Sequence, residues 1–137
     1  MPSLTPPEAL IYAMVTTAAV DRTITEDELG RIGSIIGELP AFRRYDRDWL
    51  AGEAQECGRV LAKVDGLAKV LELIHDALPE PMHETAYVLA AEVAATDMRV
   101  KLEEVRFLDM LAEKLRLDKL TCAALERAAK ARHQPMT

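Results

Sequence analysis

The chain has 137 residues, half of them hydrophobic but only 4% aromatic, and it carries a formal net charge of −6. This length predicts a single domain over 1–137 that can bury a core without disulfides or a structural metal. The negative charge excludes nucleic acid as a partner, because phosphate binding needs clustered Lys and Arg. A core built mainly from Ala, Leu, Ile, Val and Met, with few glycines, predicts an all-α fold.

The first predicted helix begins at Pro6 and Pro7, where Thr5 can serve as its N-cap. Its apolar run, Ala9 to Val20, follows a segment without Lys or Arg, which is unlike a signal peptide. No segment reaches the roughly 20 apolar residues that a membrane span requires. We therefore expect a cytoplasmic protein that does not insert into a membrane.

The second predicted helix starts with the pattern of a capping box. Thr25 and Glu28 have the T-x-x-E spacing in which each side chain bonds the backbone N–H of the other residue. Apolar residues then recur at helical spacing: Leu29, Ile32, Ile36 and Leu39. Pro40 is expected to end this helix.

Five further helical stripes follow. The third runs from Trp49 to Val64, and the fourth from Leu67 to Leu78 before Pro79 and Pro81. Tyr87, Ala90, Ala91 and Ala94 start the fifth; Val105, Leu108, Leu111 and Leu115 mark the sixth. The last is capped by Asp118 and ends at about Arg132. These spacings predict about seven helices, with Cys57 and Cys122 as buried thiols.

Two acidic stretches, Asp21 to Glu28 and Asp97 to Glu104, lie 76 residues apart and each joins two predicted helices. The offset places like residues over each other: Ile24 over Val100, Glu28 over Glu104, Leu29 over Val105, Ile32 over Leu108, Ile35 over Leu111 and Leu39 over Leu115. An internal repeat of this kind predicts a compact bundle in which two helix-bend-helix units are related by a pseudo-two-fold axis.

The acidic bends are candidate cation sites. Asp21 and Glu28 are seven residues apart, as are Asp97 and Glu104, and Glu92 can add a third carboxylate to the second bend. Carboxylates and bend carbonyls are the ligands of hard cations, so the predicted ion is Ca²⁺ or Mg²⁺, with the second bend as the stronger site. The alternative is that both bends hold only helix caps.

Two E-x-x-H motifs, Glu72 to His75 and Glu80 to His83, offer a different chemistry. This spacing brings a carboxylate and an imidazole to one ion in di-iron bundles. It supports an alternative function as a metal-dependent oxidoreductase. No pattern of a catalytic nucleophile is present, so we expect a protein that is not an enzyme.

The segments Ala18 to Leu29 and Ala94 to Val105 resemble the TerB family of small helical proteins named for bacterial tellurite resistance. The resemblance implies a compact helical bundle with a role in bacterial stress resistance. It also implies metal-dependent assembly with other proteins, including membrane-associated stress-resistance components. On this basis we expect a cation-influenced binding or scaffolding module.

Overall fold

The computed structural model describes residues 3–19, 23–96 and 102–136, and these ranges contain seven α-helices and no β-strand. The helices are α1 (Pro6–Ala19), α2 (Glu26–Ile36), α3 (Leu50–Leu61), α4 (Gly66–Ala77), α5 (His83–Thr96), α6 (Leu102–Lys114) and α7 (Lys119–Arg132). Single 3-10 turns lie at Pro40–Phe42, Arg47–Trp49 and Glu80–Met82. The all-α prediction is therefore confirmed.

The helix starts follow the predicted capping chemistry. At the start of α1, the Thr5 N–H donates to Glu8 Oε1 at 2.7 Å, and the Glu8 N–H donates to Thr5 Oγ1 at 3.4 Å. At the start of α7, the carboxylate of Asp118 accepts the Thr121 N–H at 2.7 Å. Both caps satisfy N–H groups that a helix leaves without an internal partner.

Helices α1 and α5 form the centre of the bundle and pack against each other. Almost every residue from Ala9 to Thr17 and from Ala86 to Ala94 is buried, so these helices are covered on all sides. Helices α3 and α4 pack on α1, whereas α7 packs on α5. The apolar run of α1 has no polar face, because a helix that others enclose does not need one.

A buried polar contact joins α3 to α1: Thr16 Oγ1 lies 3.5 Å from Cys57 Sγ. The neighbouring Thr17 hydroxyl is satisfied within α1, where it donates to the Ala13 carbonyl oxygen at 2.8 Å. Cys57 and Cys122 are free thiols and both are buried, as predicted. Burial raises the pKa of Cys57 to about 11, so this thiol is kept in its protonated form.

Two ends of the predicted third stripe lie outside the core. Trp49 is 54% exposed in a 3-10 turn, where its ring meets the Tyr45 ring edge-on at 5.4 Å between centroids. Val64 is 83% exposed because α3 ends at Leu61 and the helical period ends with it. A predicted apolar stripe that extends past the end of a helix therefore includes residues that are not in the core.

The connection between α3 and α4 is tight. Asp65 adopts a left-handed backbone conformation, with φ at 56°, and the Gly66 N–H donates to the Lys63 carbonyl oxygen at 2.9 Å. A Cβ atom added to Gly66 would lie only 2.4 Å from the backbone oxygens of Val60 and Leu61. Glycine is thus required here by space and not by its φ angle.

In the proposed repeat, α1 pairs with α5 and has the same length, whereas α2, with 11 residues, pairs with α6, which has 13. Helices α1 and α5 each contain 14 residues, and α2 and α6 begin 76 residues apart, at Glu26 and Leu102. The two-fold relation between the pairs stays a prediction. None of the helices in the described ranges has the length and apolarity needed to cross a membrane.

Candidate functional site

The first acidic bend begins after α1 and ends in the predicted capping box of α2. Glu28 Oε1 accepts the Thr25 N–H at 2.9 Å and the Thr25 hydroxyl at 3.1 Å. The Glu28 N–H in turn donates to Thr25 Oγ1 at 3.2 Å. The capping role of Glu28 is therefore confirmed, while Asp21 lies outside the described residues.

The second acidic bend joins α5 to α6, with Asp97 outside the described residues. Glu104 lies in the first turn of α6, and its side chain is buried, with 5% of the residue exposed. Its neighbour Glu103 is exposed. Burial of a carboxylate is costly, so the fold places Glu104 where other polar groups can compensate it.

The glutamates of the two bends meet in one small cleft. Its volume is about 10 Å³, which is the room of about one water molecule. The lining residues are Ala18, Glu28, Arg31, Val93, Thr96 and Glu104. The residues that line the cleft thus include two glutamates and one arginine, and the cleft adjoins the ends of both helices, α1 and α5, that lead into the acidic bends. We call it the acidic cleft.

Glu92, the predicted third ligand of the second bend, has partners on another element. It is 5% exposed, and its Oε1 accepts Arg132 Nε at 2.6 Å and lies 3.0 Å from His133 Nε2. These contacts attach the C-terminal end of α7 to α5. Glu92 does not line the acidic cleft, and the described residues contain no group of three or more His, Cys, Asp or Glu arranged to hold a metal.

The structure also brings together the histidines of the two E-x-x-H motifs. The rings of His75 and His83 have centroids 6.0 Å apart and are tilted by 36°. Glu72 and Glu80 are exposed. The motifs thus meet in space around the Pro79 break. A di-iron site would need at least three potential ligands close together, and the described residues form no such group.

A hydrogen-bonded carboxyl pair near the start of α1 was not predicted from the sequence. The Tyr45 hydroxyl donates to Glu53 Oε2, and Glu53 also interacts with Glu8. Burial, aided by Glu8, raises the pKa of Glu53 to about 7, against the opposing effect of the Tyr45 hydrogen bond. Burial also acts on Glu8, but hydrogen bonds from Thr5 and Glu53 lower its pKa. Below about pH 7 the pair therefore holds one proton, and the raised pKa of Glu53 places it on that residue.

Glu53→Gln should flatten the dependence of stability on pH between about 4.5 and 7. In this range the folded protein holds a proton on Glu53 that the unfolded chain has lost, so the free energy of unfolding falls as pH rises. We expect a fall of about 1 kcal/mol after allowing for solvent screening of this half-exposed group. Above about pH 7 the variant should be more stable than the wild type. Urea titrations at several pH values measure this.

Glu56→Gln is the matched control, because Glu56 is exposed on the same helix and pairs with Arg59. It removes the same charge without touching the Glu8 and Glu53 pair. An equal flattening in both variants would contradict the assignment to Glu53.

A wider groove lies beside the first acidic bend. It has a volume of about 880 Å³ between that bend and α3, and is lined mainly by small and aliphatic side chains. Its walls include Val15, Ile24, Leu29 and Leu61, with Arg59 among the polar groups. Since Leu29 lines the groove and Glu28 lines the acidic cleft, the first turn of α2 forms part of both.

The fold defines the chain as an all-α helical bundle protein. No protein-family model, curated protein or solved structure matches the chain.

Proposed function

We propose that this protein is a non-enzymatic binding or scaffolding module of the TerB-like kind, whose state depends on a divalent cation. The observation that carries the proposal is the meeting of Glu28 and Glu104 in the acidic cleft. These residues come from two bends that are 76 positions apart, and each bend has an aspartate in its sequence, Asp21 or Asp97. One cation at this place would hold both helix corners together.

The proposed ion is Ca²⁺ or Mg²⁺, since the groups available at the bends are oxygen ligands. Arg31 lines the acidic cleft and contributes one positive charge, so a further carboxylate, that of Asp97, is needed to make the site favourable for a cation. By bridging the ends of α1 and α5 to the starts of α2 and α6, the ion would stabilise the corners. Other proteins would then bind the surface that the two bridged corners form.

The biological role that we propose is bacterial stress resistance, of the kind associated with tellurite. The module would act in the cytoplasm and assemble with other proteins, including membrane-associated stress-resistance components. The support for this role is the likeness of Ala18 to Leu29 and Ala94 to Val105 to the TerB pattern.

A metal-dependent oxidoreductase is the second candidate, and the proximity of His75 and His83 favours it. Stoichiometric iron in protein purified without chelator, lost on substitution of both histidines, would support the oxidoreductase. It has weaker support than the binding module, because a di-iron centre also needs bridging carboxylates beside the histidines.

Glu104→Gln should abolish a rise in melting temperature that Ca²⁺ or Mg²⁺ produces in the wild type. A ligand that binds only the folded state stabilises it by about 2.7 kcal/mol at a hundredfold excess over its Kd, which corresponds to several degrees. Asp97→Asn should have the same effect as Glu104→Gln. Asp21→Asn should reduce the rise only slightly. Thermal unfolding in chelator and in excess cation measures all of these.

Glu103→Gln is the matched control, because it makes the same change in charge on the exposed neighbour. It should keep the full rise. In cells, a gene carrying Glu103→Gln should restore tellurite tolerance to a deletion strain, and one carrying Glu104→Gln should not. If neither cation shifts the wild-type melting temperature, or if Glu104→Gln keeps the shift, the bends act only as caps and the proposal fails.

A further inference from the structure

Two of the three histidines of the chain lie side by side at the junction between α4 and α5. His75 is in the last turn of α4 and His83 is the first residue of α5. Their ring centroids are 6.0 Å apart, and the side chain of His75 is 46% exposed. The pair is thus open to ions from solvent. Neither histidine lines the acidic cleft.

Each imidazole has one nitrogen engaged by a hydrogen-bond acceptor. His75 Nδ1 lies 3.1 Å from Asp76 Oδ1, and His83 Nε2 lies 3.3 Å from the Leu78 carbonyl oxygen. A carboxylate and a carbonyl oxygen can only accept, so in each neutral ring the engaged nitrogen carries the proton. The lone pairs are consequently on His75 Nε2 and His83 Nδ1.

This is the hydrogen-bonding pattern of histidines that bind metals. A metal-ligating imidazole commonly donates its second N–H to a carboxylate or a backbone carbonyl, which fixes the tautomer and the orientation of the ring. Here the Asp76 carboxylate and the Leu78 carbonyl supply the two kinds of acceptor. Both rings are therefore held in the tautomer that a metal ion requires.

The spacing of the rings is close to that of two ligands on one ion. Metal–nitrogen bonds are about 2.0–2.1 Å long, so two imidazoles on one tetrahedral ion have ring centres about 5 Å apart. The observed 6.0 Å between the ring centroids is only slightly longer, and rotation of the exposed His75 side chain can close the gap. Glu72 and Glu80 each precede a histidine by three residues, and their negative charge attracts cations.

We propose that His75 and His83 together bind one borderline divalent transition-metal ion, such as Zn²⁺, with water completing its coordination. Imidazole nitrogen suits Zn²⁺, Ni²⁺ and Cu²⁺ and not the hard cations proposed for the acidic cleft. With two protein ligands the ion exchanges with solvent. Its binding fixes the end of α4 against the start of α5, across the segment that contains Pro79 and Pro81.

The test is calorimetric titration of the metal-free protein, prepared without a polyhistidine tag, with Zn²⁺ alone. The wild type should bind one equivalent. His75→Ala and His83→Ala should each weaken binding by at least about tenfold, and Asp76→Ala, which removes the orienting acceptor and its charge, by about tenfold. Histidine-ring NMR signals of His75 and His83 should shift on addition of Zn²⁺.

His133→Ala is the matched control, since the third histidine contacts Glu92 instead. It should leave Zn²⁺ affinity unchanged. Absence of Zn²⁺ binding in the wild type would overturn the proposal, as would unchanged binding in a variant that lacks both His75 and His83. Because the acidic cleft uses other residues and hard cations, neither result bears on the Ca²⁺ or Mg²⁺ experiment.

Discussion

Replacing Gly66 by alanine should lower the free energy of unfolding by about 2–3 kcal/mol. The new Cβ would lie 2.4 Å from the backbone oxygens of Val60 and Leu61, in the last turn of α3. These atoms belong to the backbone, so they cannot rotate away as the end of a long side chain would. Helix α4 would have to shift relative to α3. Urea unfolding of the variant and the wild type measures the loss.

Gly58→Ala is the control for this prediction. Gly58 is inside α3, and a Cβ added there meets no atom within 4 Å. Alanine is the better helix former by about 0.5–1 kcal/mol, so the control should be stabilised by about that amount. If Gly66→Ala were as stable as the wild type, the α3–α4 junction would have more space than the structure gives it.

Phe107→Ala should destabilise the fold by about 3–5 kcal/mol, the largest loss expected for a single side chain here. Phe107 is among the largest side chains that are fully buried, and α6 packs on α1, α4 and α5. Removing the ring loses its burial and leaves a cavity. Since small domains are stable by only about 5–15 kcal/mol, the variant should unfold at much lower urea concentration.

Two variants bracket the Phe107 result. Phe107→Leu keeps most of the volume and should cost much less than alanine. Val105→Ala changes a residue of the same helix that is 40% exposed, and its effect should be below about 1 kcal/mol. Equal losses for Val105→Ala and Phe107→Ala would mean that α6 presents a different face to the core.

The helix starts could be predicted because their signals are local. The capping box of Thr25 and Glu28 and the Asp118 cap each involve residues three positions apart, so the sequence alone contains both partners. The helix ends were less accurate. Pro40 was expected to end α2, but α2 ends at Ile36 and Pro40 begins a 3-10 turn.

The core of α6 shows where periodicity is insufficient. The predicted stripe included Val105 with Leu108 and Leu111, whereas the structure buries Phe107 completely and leaves Val105 40% exposed. Both choices fit a helical period. Which face turns inward depends on α1, α4 and α5, and this information is not local to α6.

For the candidate sites, too, the local sequence predicts which residues take part but not how they pack together. Glu28 and Glu104 were selected from the sequence by their place in the repeat, but their sharing of one cleft depends on how the two corners pack. Glu92 was predicted as a cation ligand because it lies close to Asp97 in the sequence, and that role stays a prediction. Its contacts with Arg132 and His133, about 40 residues further on, have no signal in the local sequence.

The two buried thiols can be used to measure local unfolding of the protein. Cys57 belongs to α3, which packs on α1, and Cys122 belongs to α7, which packs on α5. A thiol reagent needs access and a thiolate, and burial raises the pKa of both cysteines. Labelling must therefore wait for local unfolding. The labelling rate of each cysteine would therefore report how often its own outer helix unfolds locally, independently of the other helix. No cysteine has to be introduced for this measurement.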